Sequence, residues 1–346
     1  MSPLRSGWLT RYGVVAAVVA LSTFAAVFAP GFFSLGNAAT ILLHVSTNGI
    51  LTLGMTFVII TAGIDLSVGS LLGLTGVLVA AALTAPGLIA AVGVVGAAMV
   101  ATAIGLAAGA AAGVANGTLT AFLGINPFIV TLATMTIARG AARLVTGGVP
   151  IGFPPMGDPA FQKKVAALDA LHAFGGGRLA LPGSTSGFPI PALVMLAFVA
   201  LGAVVLSRTR FGRYVYAVGG NEEAARLSGV PVRAVKVGVY AISGACAGLA
   251  GVLITGQLRS GGPDAGMLYE LNAIAAAVIG GASLMGGVGS AWGALTGALL
   301  IGVLNNALDL LGVQAFWQEI AKGAIILLAV LFDVWTKKRN GGSAHD

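Results

Sequence analysis

The sequence contains very few charged residues. Asp, Glu, Lys and Arg make up 8% of its 346 residues, whereas a typical soluble domain has about 25%. It also lacks a polar stretch long enough to fold as a sizeable soluble domain, and 57% of its residues are hydrophobic. These proportions exclude a soluble globular protein. They predict one all-α, polytopic membrane domain over residues 1–346.

Motifs of several enzyme classes are missing as well. The nucleotide-binding pattern GxxxxGK[ST] does not occur, so we expect any ATP to be bound by another chain. HExxH, GxSxG and paired-carboxylate patterns are also missing. The single cysteine, Cys246, cannot form an intrachain disulfide and is expected to pack as a small residue. The sequence therefore predicts a protein with no catalytic residue, metal site or cofactor of its own.

Ten apolar runs are long enough to cross about 30 Å of hydrocarbon. The first follows Arg5 and Arg11 and is interpreted as a transmembrane helix rather than a cleaved signal peptide, because further spans follow at once. The segment 112–126 could hold an additional short or re-entrant piece. The predicted spans are 13–30, 40–62, 65–84, 87–113, 127–147, 188–207, 234–257, 270–285, 289–311 and 316–335.

Basic residues lie mainly in loops beside these spans. The formal net charge of +7 is therefore better explained by orientation in the bilayer than by nucleic-acid binding. The clusters are at the N-terminus, in 208–236 and at 337–339. Even numbers of predicted spans separate the three clusters, so all three lie on one side. Because cytoplasmic loops are the basic ones, both termini are predicted to be cytoplasmic.

The segment 208–236 holds six of the eighteen basic residues between two apolar spans. Asn221 is a candidate N-cap for a short helix, and the helix dipole favours Glu222 and Glu223 in its first turn. Gly229 supplies a C-terminal stop. The pattern predicts a capped helix of about two turns in a cytoplasmic loop.

Arg226 follows Glu222 by four residues, so the two side chains are predicted to pair on one face of this helix. A short, capped, charged helix in a membrane protein's loop indicates a docking element for a partner, and a solvated connector is the alternative. The candidate contact residues are Asn221, Glu222, Glu223, Ala224, Ala225, Arg226 and Gly229.

The segment 148–187 is rich in Pro, Gly and Ser and is predicted to be an external loop with one short surface helix at about 159–173. An external docking surface and a plain connector both fit this composition. Arg139 and Arg143 fall near the outer end of the fifth span. They either snorkel to the outer interface, which we favour, or line a polar path.

Polar side chains within the spans are candidates for a translocation path. Asp65 either caps the third span together with Ser67 and Ser70, which we favour, or contacts the solute directly. Neutral amides and hydroxyls suit a neutral polyhydroxylated solute, but they also hold helices together. Deep carboxylates and histidines are scarce, which argues against an ion-coupled carrier. The candidate path residues are Asn48, Asp65, Ser67, Asn116, Asn126, Asn305 and Asn306.

Fifty-three glycines indicate close contacts between helix backbones. One four-residue ladder runs from Gly105 to Gly117, and a second runs from Gly289 to Gly297. Packing inside one subunit is the favoured interpretation of both ladders. The first ladder is also a candidate for bordering the path.

Four blocks of sequence together resemble a known family. The first two blocks are LTLGMTFVIITAGIDLSVGS at 51–70 and ANGTLTAFLGINPFIVTLATMTIARG at 115–140. The other two are FGRYVYAVGGNEEAARLSGV at 211–230 and ELNAIAAAVIGGASLMGGVGSAWGALTGALLIGVLNNALDLLG at 270–312. In this order they are similar to the ribose-type permeases of bacterial ABC sugar importers. That family belongs to a wider group that includes branched-chain amino acid permeases.

The resemblance implies a multi-pass permease homodimer in the bacterial cytoplasmic (inner) membrane. Partner ATPase subunits would bind ATP and Mg²⁺, and a periplasmic or lipid-anchored sugar-binding protein would deliver a ribose-like pentose or a hexose. Solute would cross by alternating access, and the segment 220–229 would face the ATPase. The alternatives are an ABC permease for a branched-chain amino acid or nucleoside, and a facilitator that needs no ATPase.

Overall fold

The computed structural model describes residues 3–85, 87–152, 161–181, 184–314 and, between 316 and 331, all but 322, 325, 326 and 328–330. Most of the described residues are helical, which confirms the predicted all-α fold class. The helices are α1 Pro3–Phe28, α2 Leu35–Ile60, α3 Val68–Thr84, α4 Leu88–Leu123, α5 Pro127–Thr146, α6 Phe161–Gly175, α7 Ile190–Arg208, α8 Arg210–Gly220, α9 Glu222–Leu227, α10 Val232–Leu258, α11 Tyr269–Ile279 and α12 Ala291–Leu310. Two antiparallel strands, β1 Arg178–Leu181 and β2 Ser184–Pro189, form a hairpin between α6 and α7.

Six helices among the described residues are long and apolar enough to cross a membrane, namely α2, α4, α5, α7, α10 and α12. Residues 13–28 of α1, together with α3 and α11, are shorter apolar stretches. Each of the first nine predicted spans thus coincides with a helix. The chain is helical again from 316, but half of the tenth predicted span and the basic residues at 337–339 lie outside the described residues.

Two predicted boundaries are wrong, and glycine conformation explains both. α4 does not end at 113; it continues to Leu123 and takes in most of the segment considered for a separate piece, until Gly124 ends it with φ 67°. The eighth span does not reach 285, because α11 ends at Ile279 before Gly281, which has φ 92°. Both φ values are in the left-handed region that favours glycine.

The helix α10 lies at the centre of the bundle and packs most extensively against α4. The ladder from Gly105 to Gly117 forms this contact, since a Cβ atom on Gly109 would meet the carbonyl oxygen of Gly244 and one on Gly113 would meet that of Tyr240. The second ladder packs Gly293 on Gly280. Both ladders therefore pack within the chain, as favoured from the sequence. The proposal that the first ladder borders a path is wrong, because α10 covers it.

The two ends of α10 contact different peripheral elements. At its first turns, Lys236 pairs with Glu222 of α9. Directly after its last turn, Arg259 pairs with Asp169 of α6 at 3.3 Å. We call these ends of the bundle the α9 end and the α6 end. The helix expected at about 159–173 is α6, although 153–160 and 182–183 of the surrounding segment lie outside the described residues.

Candidate functional site

The helix α9 has the caps that the sequence predicts. Asn221 is extended, with φ −160° and ψ 104°, and its side-chain oxygen accepts a hydrogen bond from the backbone N–H of Ala224. Gly229, with φ 80°, follows the last turn. Ala225 is buried, whereas Glu222, Glu223, Ala224 and Arg226 are exposed. The helix therefore presents a charged face outward and rests on one small residue.

The predicted pairing of Arg226 with Glu222 is wrong. Arg226 binds Glu223, three residues before it, through Nε–Oε2 and Nη2–Oε1 distances of 3.1 and 2.6 Å. Glu222 instead accepts from the ammonium of Lys236 on α10 at 2.7 Å. The Lys236 side chain is only 19% exposed, so it needs a nearby counter-charge. Glu222 therefore pairs with Lys236 rather than with Arg226, while its side chain stays 52% exposed.

The guanidinium of Arg226 has a clear electrostatic effect. Its hydrogen bond to the exposed carboxylate of Glu223, supported by the opposite charge, lowers the pKa of that group below its ordinary value. The same contact raises the pKa of Arg226. Both groups are therefore charged at neutral pH, and the outward face of α9 keeps a fixed ion pair.

A second helix, α8, connects this element to the bundle, and sequence reasoning missed it. Thr209 caps α8 by accepting from the N–H of Gly212 at 3.1 Å. The hydroxyl of Tyr216 donates to the carbonyl of Gly289 at 2.8 Å, and Gly219 lies directly against the carbonyl of Ile60. The α8–α9 element thus contacts the end of α2 and the loop before α12. The cap residue Thr209 was the available sequence signal.

The helix α3 begins near the middle of the bundle rather than at its edge. The loop that precedes it places the carboxylate of Asp65 2.8 Å from the hydroxyl of Ser243 on α10. Ser243 is 11 residues after Val232 and 15 before Leu258, so at about 1.5 Å per residue it is roughly 16 and 22 Å from the two ends of α10. The chain therefore returns from the end of α2 to mid-depth before α3 starts.

The helix α11 begins in the same region from the opposite direction. The non-helical segment 259–268 leaves the end of α10 and runs along α3, with Gly261 against Val77 and Gly266 against Gly69. The carboxylate of Glu270, in the first turn of α11, contacts Gly69 in the first turn of α3. Two helices that start at mid-depth thus meet at their first turns, and we call this contact the mid-bundle junction.

Arginines of α5 hold the non-helical segment. Arg139 donates from Nη1 to the carbonyls of Pro263 and Ala265 at 2.7 and 2.9 Å. Arg143 pairs with Asp264 at 2.8 Å. The expectation that Arg139 snorkels to an interface is wrong, because the carbonyls of the segment offer it acceptors within the bundle. Arg143 lies in the last turn of α5 with an exposed side chain, and for it the expectation stays a prediction. These two arginines, spaced four apart on an apolar helix, were the sequence signal for the junction.

Three of the predicted path residues come together beside α3. Asp65 accepts from the N–H and the hydroxyl of Ser67 at 3.0 and 2.6 Å. Asn116 of α4 donates to Ser67 at 3.0 Å and accepts from Thr134 of α5 at 2.6 Å. Asp65, Ser67 and Asn116 are fully buried. They therefore tie the loop to α4, α5 and α10 rather than open onto a cavity.

The other four predicted path residues are scattered. Asn126 caps α5 by accepting from the N–H of Phe128 at 2.9 Å, and Asn306 exchanges hydrogen bonds with Asn37. The side-chain oxygens of Asn48 and Asn305 are buried, and neither has a hydrogen-bond partner among the described residues. The described residues also hold no group of three or more His, Cys, Asp or Glu side chains suited to a metal ion.

Comparison with known proteins gives the family. The model of the branched-chain amino acid transport system / permease component matches residues 37–330. The ribose import permease protein RbsC of Escherichia coli strain K12 is 42% identical over 326 residues, 94% of each chain. RbsC of Bacillus subtilis strain 168 is 42% identical over 328 residues, again 94% of each. The xylose transport system permease protein XylH of Haemophilus influenzae is 37% identical over 382 residues, 98% of this chain and 100% of that protein. No solved structure matches the chain.

Proposed function

The chain belongs to the branched-chain amino acid transport system / permease component family, and we propose that it is the transmembrane subunit of an ATP-binding cassette importer for a monosaccharide. The observation that carries this proposal is the 42% identity to ribose import permeases over 94% of the chain. The 37% identity to a xylose permease widens the solute class to pentoses and similar sugars.

The α8–α9 element is proposed to dock the ATPase. Its outward face carries Glu222, Glu223 and Arg226, all exposed, and complementary charges fix the register of such contacts. The pair between Glu222 and Lys236 ties this face to α10, and α8 ties it to the end of α2. This chain has no nucleotide-binding motif, so ATP and Mg²⁺ would be bound by the partner ATPase. A movement of the ATPase would then reach the spans directly.

The same assignment orients the protein. The α9 end, with the basic segment 208–236, is proposed to face the cytoplasm, and the α6 end a periplasmic or lipid-anchored sugar-binding protein. The bilayer would be the bacterial inner membrane, with both termini on the cytoplasmic side. We infer a homodimer, because two ATPase subunits that close together act naturally on two copies of α9 related by a two-fold axis. All of 1–346 would form one permease domain.

Alternating access follows from these contacts. In this account ATP binding draws the two copies of α9 together, and each pulls α10 through Lys236. Because α10 packs along α4 and reaches α6, its tilt would open one end of the bundle while closing the other. This is rigid-body motion about a packed helix, one of the usual forms of domain closure.

Competitive uptake tests the solute class. The chain would be reconstituted in proteoliposomes with its ATPase and binding protein, and uptake of labelled ribose measured with excess unlabelled ribose, xylose, leucine or adenosine. We expect the two pentoses to compete and leucine and adenosine to have no effect. Uptake of labelled leucine or adenosine in the same system, with no uptake of labelled ribose, would show instead a permease for amino acids or nucleosides.

A further inference from the structure

We propose that the solute crosses the membrane over the mid-bundle junction, along the face formed by α5 and the segment 259–271, and that Glu270 accepts hydrogen bonds from its hydroxyl groups. This inference rests on the proposed function and deepens it, because it names the residues that line the path. It also moves the path away from the buried residues around Asp65.

The first observation is charge on an uncovered face of the bundle. Arg143 and Asp264 have side chains 53% and 56% exposed, and Arg139 and Glu270 are each only partly buried. Charged side chains within membrane spans face a protein interior or a water-filled cavity rather than lipid. Since the described residues of this chain leave Arg143 and Asp264 uncovered, the face borders water or another protein.

The second observation is the backbone of the segment 259–268. Non-helical backbone at membrane depth is tolerated only where protein buries it or where it lines a water-filled cavity. Met267 and Leu268 are 53% and 40% exposed, and Leu271 in the first turn of α11 is 42% exposed. The segment is therefore covered on the side of α3 and α5 and open on the other. Water in a cavity on this side would hydrogen-bond the open backbone groups of the segment and solvate the charged side chains.

The chemistry of the junction suits a polyhydroxylated solute. Arg139 is committed to the carbonyls of Pro263 and Ala265, and Arg143 to Asp264. The Oε2 atom of Glu270 is buried against Gly69 and has no hydrogen-bond partner among the described residues. A carboxylate only accepts hydrogen bonds, whereas each sugar hydroxyl can donate one. Glu270 thus holds an unpartnered, buried acceptor inside the contact between the first turns of α3 and α11.

Cysteine labelling tests the position of the path in the assembled transporter. Cys246, the chain's only cysteine, is 3% exposed, so a Cys246→Ala background is close to native. Single variants Met267→Cys and Leu271→Cys would be compared with Leu201→Cys and Leu196→Cys on α7, which are similarly exposed at 58% and 38%. The probe is a charged, water-soluble methanethiosulfonate.

We expect labelling at 267 and 271 to be about tenfold faster than at 201 and 196, and saturating sugar-loaded binding protein with ATP to change the rate only at the first two. Equal, slow labelling at all four positions, which lipid or a protein contact on this face would give, overturns the proposal. If the unsubstituted protein shows no ATP-driven sugar uptake in the same assembly, the proposed function fails instead, so the two failures are distinguishable.

Glu270→Gln tests the acceptor in the same system. We expect uptake of ribose to fall about tenfold while ATP hydrolysis stimulated by the binding protein is retained, and uptake of an analogue lacking one hydroxyl to fall less. The matched control is Asp264→Asn, at a residue on the same face that is paired with Arg143. In this control the ratio of the uptake rates of ribose and the analogue is expected to stay unchanged. An equal fall for both solutes in Glu270→Gln overturns the role of this carboxylate.

Discussion

Lys236 on α10 donates to both carboxylate oxygens of Glu222 on α9 at 2.7 Å, across 14 residues of sequence. The neighbouring ion pair between Arg226 and Glu223 lies within α9 and joins nothing else. One pair therefore links α9 to the central helix, and the other lies on the outward surface of α9. If α9 docks the ATPase as proposed, the first pair would transmit force to α10 and the second would contribute to recognition of the partner.

Breaking the link is expected to uncouple transport. In Glu222→Gln and in Lys236→Met, uptake should fall roughly tenfold, within the usual 1–3 kcal/mol of coupling free energy between sites. Stability should change by less than about 1 kcal/mol, because the pair is partly exposed. The measurement is sugar uptake and ATP hydrolysis by the same proteoliposomes, and hydrolysis should continue.

The exchange Glu222→Lys with Lys236→Glu should restore part of the uptake. As a matched control, Glu223→Gln with Arg226→Gln should weaken binding of the ATPase while leaving uptake per bound ATPase unchanged. The ion pair between Glu222 and Lys236 does not couple ATP hydrolysis to transport if the control pair uncouples transport and the Glu222 and Lys236 variants do not.

Close packing of α4 on α10 predicts a large effect of one added methyl group. In Gly109→Ala the new Cβ would meet the carbonyl of Gly244 and the Cα of Gly248, and such overpacking costs about 1–3 kcal/mol. Gly140→Ala on α5 meets nothing within 4 Å and should gain up to about 1 kcal/mol of helix propensity. Thermal unfolding in detergent measures both, and equal midpoints would contradict this packing.

The buried cluster around Asp65 is expected to stabilise the protein rather than bind solute. Asp65→Ala leaves the N–H and hydroxyl of Ser67 and the hydroxyl of Ser243 without their acceptor, and each buried unsatisfied group costs about 1–3 kcal/mol. Ser243→Ala removes one bond and should cost less. Thermal unfolding measures whether Asp65→Ala is destabilised more than Ser243→Ala. A stable Asp65→Ala protein that fails only in uptake would favour direct solute contact.

The pH dependence of α9 follows from the lowered pKa of Glu223. A carboxylate whose pKa is lower in the folded than in the unfolded protein contributes stability above its unfolded pKa, and this stability is lost as the pH falls through the folded pKa. The ion pair should therefore be constant at neutral pH. Carbon-13 titration of Glu223 should give a midpoint below 4.5, its ordinary value. In Arg226→Gln the midpoint should return toward 4.5, and an unchanged midpoint would contradict the assignment.

Much of the fold could be predicted from the sequence, since hydropathy marks each span by its composition. The caps of α9 could also be predicted, because Asn221 and Gly229 act on neighbouring backbone groups. The ion-pair partner of Glu222 could not be predicted, because Lys236 comes within reach of Glu222 only when α10 packs beside α9. The spacing of residues within α9 does not show that the side chain of Lys236 is less exposed than that of Arg226.

The mid-bundle junction could not be predicted from hydropathy, because it too depends on how the helices pack. Composition shows that α3 and α11 are apolar, but not that each begins at mid-depth. Residue type alone therefore does not separate a buried side chain such as that of Asn116 from an exposed polar group. The arginines at 139 and 143 stand out in the sequence, but their acceptors in 263–265 depend on tertiary contacts.

ATP dependence of uptake tests the central claim most directly. Proteoliposomes would contain this chain alone, or this chain with its ATPase and binding protein, and labelled ribose uptake would be measured with ATP and with a non-hydrolysable analogue. We predict accumulation only in the complete assembly with ATP. Equal uptake by the chain alone would contradict the account and identify an ATPase-independent facilitator.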